Sequence, residues 1–198
     1  MTANTPLVLA SSSPRRLDLL RQIGVVPAEV VSPDIDETPG VRELPRDHAL
    51  RLALEKARAV VSARRDRDGP PSAVLAADTV VAMGRRILPK ADDAPTARQC
   101  LERLSGRRHR VFGGVALIGV NGGERTKLVQ TIVHVRRLDR GDIDRYIEAG
   151  DWQGKAGGYA IQGAAAAFVP RINGSYSNVV GLPLFETAGL LRWAGVVP

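Results

Sequence analysis

Residues 7–26 read LVLASSSPRRLDLLRQIGVV, and the rest of the chain is organised around this unit. Leu7, Val8, Leu9 and Ala10 form an apolar run that reads as a buried strand. Ser11, Ser12 and Ser13 then make a polar turn. Pro14 suits the first position of a helix, with Ser13 as its N-cap. Leu17, Leu19, Leu20 and Ile23 supply the inward stripe, and Gly24 closes the helix.

Arg15 and Arg16 break the local rule, because the first turn of a helix carries positive dipole charge and favours acids. Two guanidiniums beside backbone N–H groups and three hydroxyls suit an oxygen-rich anion such as a polyphosphate. The competing reading is a solvated first turn. No G-x-x-x-x-G-K-[ST] sequence occurs, so this is not a Walker loop.

Outward from that unit, Val30 to Ser32 reads as a second strand leading into the acidic loop PDIDET, residues 33–38. A helix is predicted from Pro45 to about Arg65, with Ala49, Leu52, Ala53, Ala57, Val60 and Val61 at helical spacing. Lys56 falls on the same apolar stripe, where it either snorkels at the margin or reaches a cleft. A polar loop spans residues 64–72. The near-continuous apolar run AVLAADTVVAM, residues 73–83, marks a strand covered on both faces. Asp78 is its only charge, and a carboxylate there must be paired, hydrogen-bonded or metal-bound. That is the sharpest single-residue anomaly in the chain.

Lys90 is placed in a loop with Asp92 and Asp93, before a helix over residues 95–104. Strands are predicted over 111–120 and 127–137 around the Asn121-Gly122-Gly123 turn. Asp139 caps a helix ending near Gly150. The remainder is glycine-rich, with short strands expected near 158–161 and 165–170, a turn at Asn173-Gly174 and a last helix from about Pro183 to Trp193. Such glycine density suits backbone passing close to a ligand or to other backbone.

The 198 residues suit one domain able to bury a sizeable core. Hydrophobic content of 44% and charged content of 25% are ordinary for a globular protein. No apolar run spans a membrane, and residues 1–6 lack a basic leader region. Cys100 is the only cysteine, which excludes a disulfide framework within the chain and fits a cytoplasmic setting. A net charge of +7 favours anionic partners, but aromatics at 4% provide few base-stacking platforms and disfavour a nucleic-acid binder.

His48, His109 and His134 lack metal-ligand spacing, and no G-x-S-x-G elbow is present, so a serine hydrolase is disfavoured. Asp34, Asp36 and Glu37 together with Asp78 form a candidate oxygen-ligand set for a hard divalent cation; a solvated turn is the alternative for 34–37. Gln162 sits among glycines. Its amide complements one donor and one acceptor, such as N3–H and O4 of uracil or thymine.

Taken together, LASSSPRRLDLL, EKARAV, AADTVV, LSGRRHRV, GKAGGYAIQGAAAAFV and GSYSNVVGLPLFET resemble the Maf family of nucleoside triphosphate pyrophosphatases, in order and over nearly the whole chain. The KAGGYAIQG and GSYSNVVGLPL forms look like the dTTP/UTP branch rather than the 7-methyl-GTP branch. The resemblance implies an α/β fold, similar to that of inosine triphosphate pyrophosphatases. It would have a mixed, elongated central sheet flanked by helices, and two lobes around a central cleft within one domain, 1–198. It also implies hydrolysis of a nucleoside triphosphate to monophosphate and pyrophosphate with Mg2+ or Mn2+, and a homodimer.

Residue by residue, the resemblance gives Asp78 the catalytic carboxylate role and ties Arg15, Thr79 and Gln162 to substrate selection. Lys56, Lys90, Ser11 and Ser13 fall to triphosphate binding, and Glu37 with Asp78 to the metal. Two departures stand out. The family's G-K-P reads Pro89-Lys90-Ala91 here, and Gly113-Gly114 replaces a threonine-containing form at the cleft wall. The alternatives carried beside this reading are the same reaction on 7-methyl-GTP or another noncanonical nucleotide, and a non-enzymatic nucleotide-binding regulator of division.

Overall fold

The opening unit forms as read. In the computed structural model, which describes residues 5–65 and 70–196, β1 (Leu7–Ala10) runs into α1 (Pro14–Gln22). The leader reading of residues 1–4 and the Gly69 portion of the polar loop lie outside the described residues. β2 (Glu29–Val31) pairs parallel with β1, and α2 (Pro45–Arg64) then crosses to β3 (Ala73–Met83), also parallel to β1. β4 (Arg86–Leu88) folds back on β3. After β5 (Lys90–Ala91) and α3 (Ala94–Leu104), the long hairpin β6 (Arg108–Ile118) and β7 (Glu124–His134) completes most of the sheet. α4 (Arg140–Ala149), β8 (Lys155–Ala156), β9 (Arg171–Asn173), α5 (Tyr176–Val180) and α6 (Leu184–Trp193) follow. The seven-stranded mixed sheet runs β2-β1-β3-β6-β7-β9 with β4 beside β3, while β5 and β8 make a separate ribbon.

Alternation along β3 assigns the faces. Val74 and Ala76 join Val8, Ala10, Ala53, Ala57 and Val60 beneath α2. Leu75 and Ala77 point the other way, into a core with Leu19, Leu20, Leu190 and Leu191 from α1 and α6. Further along that second face, Val81 enters a different core built with α3 and α4, which contains Leu101, Leu104 and Tyr146. Thr79 stands between these two cores. Val180 of α5 packs against both.

The ladder has an opening at the same place. On one side β3 pairs with β6 from Val74 to Ala82. On the other, β1 covers residues 73–76 and β4 covers residues 81–83. The stretch between them, which holds Asp78 and Thr79, faces the carboxyl end of β1, the kind of position where open α/β sheets bind ligands.

The Gly113-Gly114 departure is a packing requirement on both faces. A Cβ on Gly114 would lie 2.1 Å from the Ala49 carbonyl oxygen of α2, and one on Gly113 1.9 Å from Asn178 Oδ1. Gly113 sits opposite Thr79, and Gly114 opposite Asp78. These glycines let α2 and α5 come close to the strand pair that carries the site.

Several boundaries differ from the sequence expectations. Residues 158–161 form turns rather than a strand, and 164–168 form a 3-10 helix, because hydrogen bonds to Tyr146, Asp151 and neighbouring turns replace a ladder. The central hairpin starts about three residues early on both strands, with Arg108 paired to His134. Ser13 occupies the N-cap position, but its hydroxyl makes no capping bond. No helix among the described residues is long and apolar enough to cross a membrane.

Candidate active site

Several elements converge on the gap in the sheet. The turn after β1 brings Ser11, Ser13 and Arg15 to a cavity of about 340 Å3, and β3 brings Asp78 and Thr79. Glu37 of the acidic loop, Lys56 of α2, Lys90 of β5 and Gln162 line the same cavity. Every residue to which the family resemblance gave a role is therefore gathered in one place. Asp34 and Asp36 are not among the lining residues. Both are exposed, and Asp36 Oδ1 instead accepts a hydrogen bond from the Thr38 amide at 2.9 Å.

Charges alternate across the cavity floor. Lys56, 5% exposed, donates to Asp78 Oδ1 at 2.6 Å and lies 2.6 Å from Glu37 Oε1. Glu37 Oε2 in turn accepts from Lys90. Burial alone would raise the Glu37 pKa, but hydrogen bonds from Lys56 and Lys90 override it and hold the carboxyl at about 2. Lys56 on the α2 stripe thus reaches a cleft. A buried ammonium is tolerable there because two carboxylates enclose it.

The acidic loop is tied back to α2 by Arg51. Its guanidinium donates to both Glu43 carboxylate oxygens, at 2.7 and 2.9 Å, and to the Thr38 carbonyl at 3.1 Å. His48 Nδ1 adds a fourth link, 2.9 Å from Glu43 Oε2. These bonds hold the loop where Glu37 can meet Lys56.

The two arginines in the first turn of α1 divide their work. Arg16 donates through Nε to the Gly181 carbonyl at 2.9 Å, through Nη1 to Ser11 Oγ at 3.1 Å and through Nη2 to Thr79 Oγ1 at 3.3 Å. It ties the first turn of α1 to β3 and to the loop after α5. Arg15 makes no such bond among the described residues and faces the cavity with its charge unneutralised. Burial lowers the pKa of both guanidiniums, which nonetheless stay protonated. No side chain caps α1 and no acid stands in its first turn, so the helix end and Arg15 present a corner of positive potential to the cavity.

The Pro89-Lys90-Ala91 departure keeps its lysine in place through backbone pairing. Lys90 and Ala91 pair with Ala156 and Lys155, and the Pro89 carbonyl accepts from the Gly157 amide at 2.9 Å. That pairing also brings Lys155 to the cavity wall, a cation the sequence reading missed. The signal available for it was its place in the GKAGGYAIQG stretch. Arg16 was seen as a charge but not as a bracket, since its three acceptors lie in distant parts of the chain.

Asp78 and Glu37 are the carboxylates of the cavity, and no group of three His, Cys, Asp or Glu side chains suited to a metal occurs among the described residues. Asp78 Oδ2 makes no hydrogen bond among the described residues. Both Glu37 oxygens and Asp78 Oδ1 are held by lysines, so Asp78 Oδ2 is the carboxylate oxygen left open to a hard cation in the cavity.

The family model described as Maf-like protein matches residues 6–194. The chain belongs to the Maf-like family. This Maf-like chain is 57% identical over 198 residues to a dTTP/UTP pyrophosphatase of Caulobacter vibrioides, covering 100% of both. It is 57% identical over 193 residues to one of Novosphingobium aromaticivorans, covering 98% of this chain and 94% of the relative. Among solved structures, a HAM1 protein of Coxiella burnetii gives a TM-score of 0.46 at 15% identity, covering 97% of this chain and 94% of that one. That likeness is too distant to place any site residue.

Proposed function

We propose that the chain hydrolyses dTTP and UTP to the monophosphate and pyrophosphate. The observation that carries this reading is the arrangement of Asp78 and Arg15 on one cavity whose floor alternates Lys90, Glu37, Lys56 and Asp78. Full-length relatives named dTTP/UTP pyrophosphatase support the choice of nucleotide.

The reaction is in-line attack of water on the α-phosphorus, with pyrophosphate as leaving group. Negative charge spread over phosphate oxygens is met by fixed cations, so the protein's task is positioning and neutralisation. Arg15, the uncapped end of α1, Lys90 and Lys155 hold the phosphates. Asp78 Oδ2 accepts the proton of the attacking water while Lys56 holds the other oxygen. A Mg2+ or Mn2+ ion held by Asp78 and Glu37 would neutralise phosphate charge and lower the pKa of a bound water, and Asp78 would then serve as its ligand in place of the base. Gln162 faces the base, where its amide complements N3–H and O4 of thymine or uracil. Thr79, bonded to Arg16, sets the shape of the cavity between the two.

A cation-lined pocket with no acids would suit a sensor of triphosphates equally well. The two carboxylates favour hydrolysis over sensing, because without a metal they repel a triphosphate. A cytoplasmic location, a two-lobed single domain and a homodimer belong to the same proposal; Cys100, free and buried, is consistent with a reducing compartment.

Pyrophosphate release from dTTP, UTP, dCTP, inosine triphosphate and 7-methyl-GTP, each with Mg2+ or Mn2+ and with EDTA, tests the reading. Preference for dTTP and UTP with loss of turnover in EDTA is expected. Preference for 7-methyl-GTP or inosine triphosphate, or binding with no release, overturns it.

A further inference from the structure

His109 is buried in β6 at 2% exposure and belongs to the LSGRRHRV stretch, which the catalytic reading leaves without a role. Its Nε2 is 2.7 Å from the Tyr159 hydroxyl, with the rings edge to face at a centroid distance of 5.4 Å. His109 Nδ1 is buried without a hydrogen-bond partner. An unpartnered buried nitrogen is costly, so the single bond to Tyr159 carries all the polar compensation this imidazole has. Burial pushes the His109 pKa down to about 4, and the neighbouring His134 adds to the shift. At neutral pH the pair is uncharged.

Tyr159 lies in the wall of the cavity, three residues before Gln162. The wall lies flush on its neighbours. A Cβ on Gly157 would lie 2.8 Å from Val81 Cγ1, and one on Gly158 3.1 Å from Ala97 Cα. The Ala160 amide donates to the Tyr146 hydroxyl at 3.0 Å, and the Ala164 amide to Asp151 at 3.0 Å. The Tyr159 bond ties this wall to β6, the strand that also pairs with Asp78 through Gly114.

That connection matters for base choice. Gln162 is exposed, and an amide free to move or flip complements cytosine as well as thymine, since the two edges present donor and acceptor in opposite order. Discrimination therefore needs the wall held still against the strand that carries the chemistry. Resting on the dTTP/UTP reading, we infer that His109 is a positioning residue for nucleotide selection: through the Tyr159 hydroxyl it registers the Gln162 wall against β6, and it touches no substrate.

The test compares kcat and KM for dTTP and dCTP in wild type, His109→Leu, His109→Gln, Tyr159→Phe and the double variant His109→Leu/Tyr159→Phe, with circular dichroism to check folding. In His109→Leu and Tyr159→Phe the dTTP/dCTP ratio of kcat/KM is expected to fall about tenfold, mainly through a higher KM for dTTP. The double variant should lose no more than either single one, because both changes break one bond. His109→Gln, whose amide can still reach the phenol, should recover most of the ratio even where His109→Leu folds poorly. An unchanged ratio in Tyr159→Phe, or losses that multiply in the double variant, overturns the inference and leaves the dTTP/UTP reading standing. A wild type that releases no pyrophosphate from dTTP overturns both.

Discussion

Lys56 Nζ stands 2.6 Å from Asp78 Oδ1, joining the middle of α2 to the middle of β3 inside the protein. Lys56 is 5% exposed and Asp78 4%, so each is the other's compensation for lost water. Glu37 lies on the far side of the same ammonium.

Removing one member of this pair leaves a buried charge behind. Lys56→Met is expected to lower the unfolding free energy by about 3–5 kcal/mol. Adding Asp78→Asn to that variant should recover a large part of the loss, because the stranded carboxylate is gone. Urea denaturation of the two single variants and the double gives the coupling. Simple additivity would mean that the contact has no energetic weight.

Gly114 sets the distance at which that pair can form. Gly114→Ala would bring a methyl to 2.1 Å from the Ala49 carbonyl, and backbone on α2 must yield. A stability loss of about 1–3 kcal/mol is expected. Movement of Lys56 relative to Asp78 should also reduce kcat/KM, by about a hundredfold for a shift near 1 Å. Gly189 of α6 is the control. Nothing lies within 4 Å of an added Cβ there, so Gly189→Ala should stabilise the helix by about 0.5–1 kcal/mol with activity unchanged.

Arg15 and Arg16 are neighbours in sequence but not in role. Arg16→Lys loses the planar fork that reaches Gly181, Ser11 and Thr79, and should lower stability. Arg15→Ala should leave stability near wild type while raising KM for the triphosphate. Thermal melts and steady-state kinetics on both variants separate the two. Equal loss of stability would contradict the division.

Acid weakens this protein through identifiable groups. His109 is held neutral at about 4 against an ordinary 6.5, so the unfolded chain takes up the proton first. Its contribution is complete above pH 6.5 and is lost as pH falls toward 4, amounting to about 3 kcal/mol. Glu37, at about 2 against an ordinary 4.5, contributes fully above pH 4.5 and loses that contribution as pH falls toward 2. Stability measured against pH should therefore decline from 6.5 downward, and His109→Gln should flatten the upper part of that decline.

The sequence revealed the site residues more readily than their connections. Asp78 and Lys56 betrayed themselves because each is a charge on an otherwise apolar pattern, and only pairing or function explains such a placement. The β1–α1 unit and the Asn121-Gly122-Gly123 turn were legible because strand periodicity and turn chemistry act over a few residues. Residues 158–161 and 165–170 read as strands but form turns and a 3-10 helix, since their apolar look comes from packing against α3, α4 and β6 rather than from a ladder. The Arg16 bracket spans 165 residues of chain from Arg16 to Gly181, and no local pattern encodes it. The same holds for Gly113 and Gly114, whose meaning lies in what α2 and α5 place opposite them.

The central claim is that Asp78, anchored by Lys56 beside a cation-lined triphosphate corner, directs water onto the α-phosphorus. Its most direct test is pyrophosphate release from dTTP by Asp78→Asn, a variant that leaves Lys56 still paired with Glu37. Turnover should fall by about 10²–10⁴ while the protein remains folded and binds dTTP. Release of pyrophosphate at the wild-type rate would contradict the account.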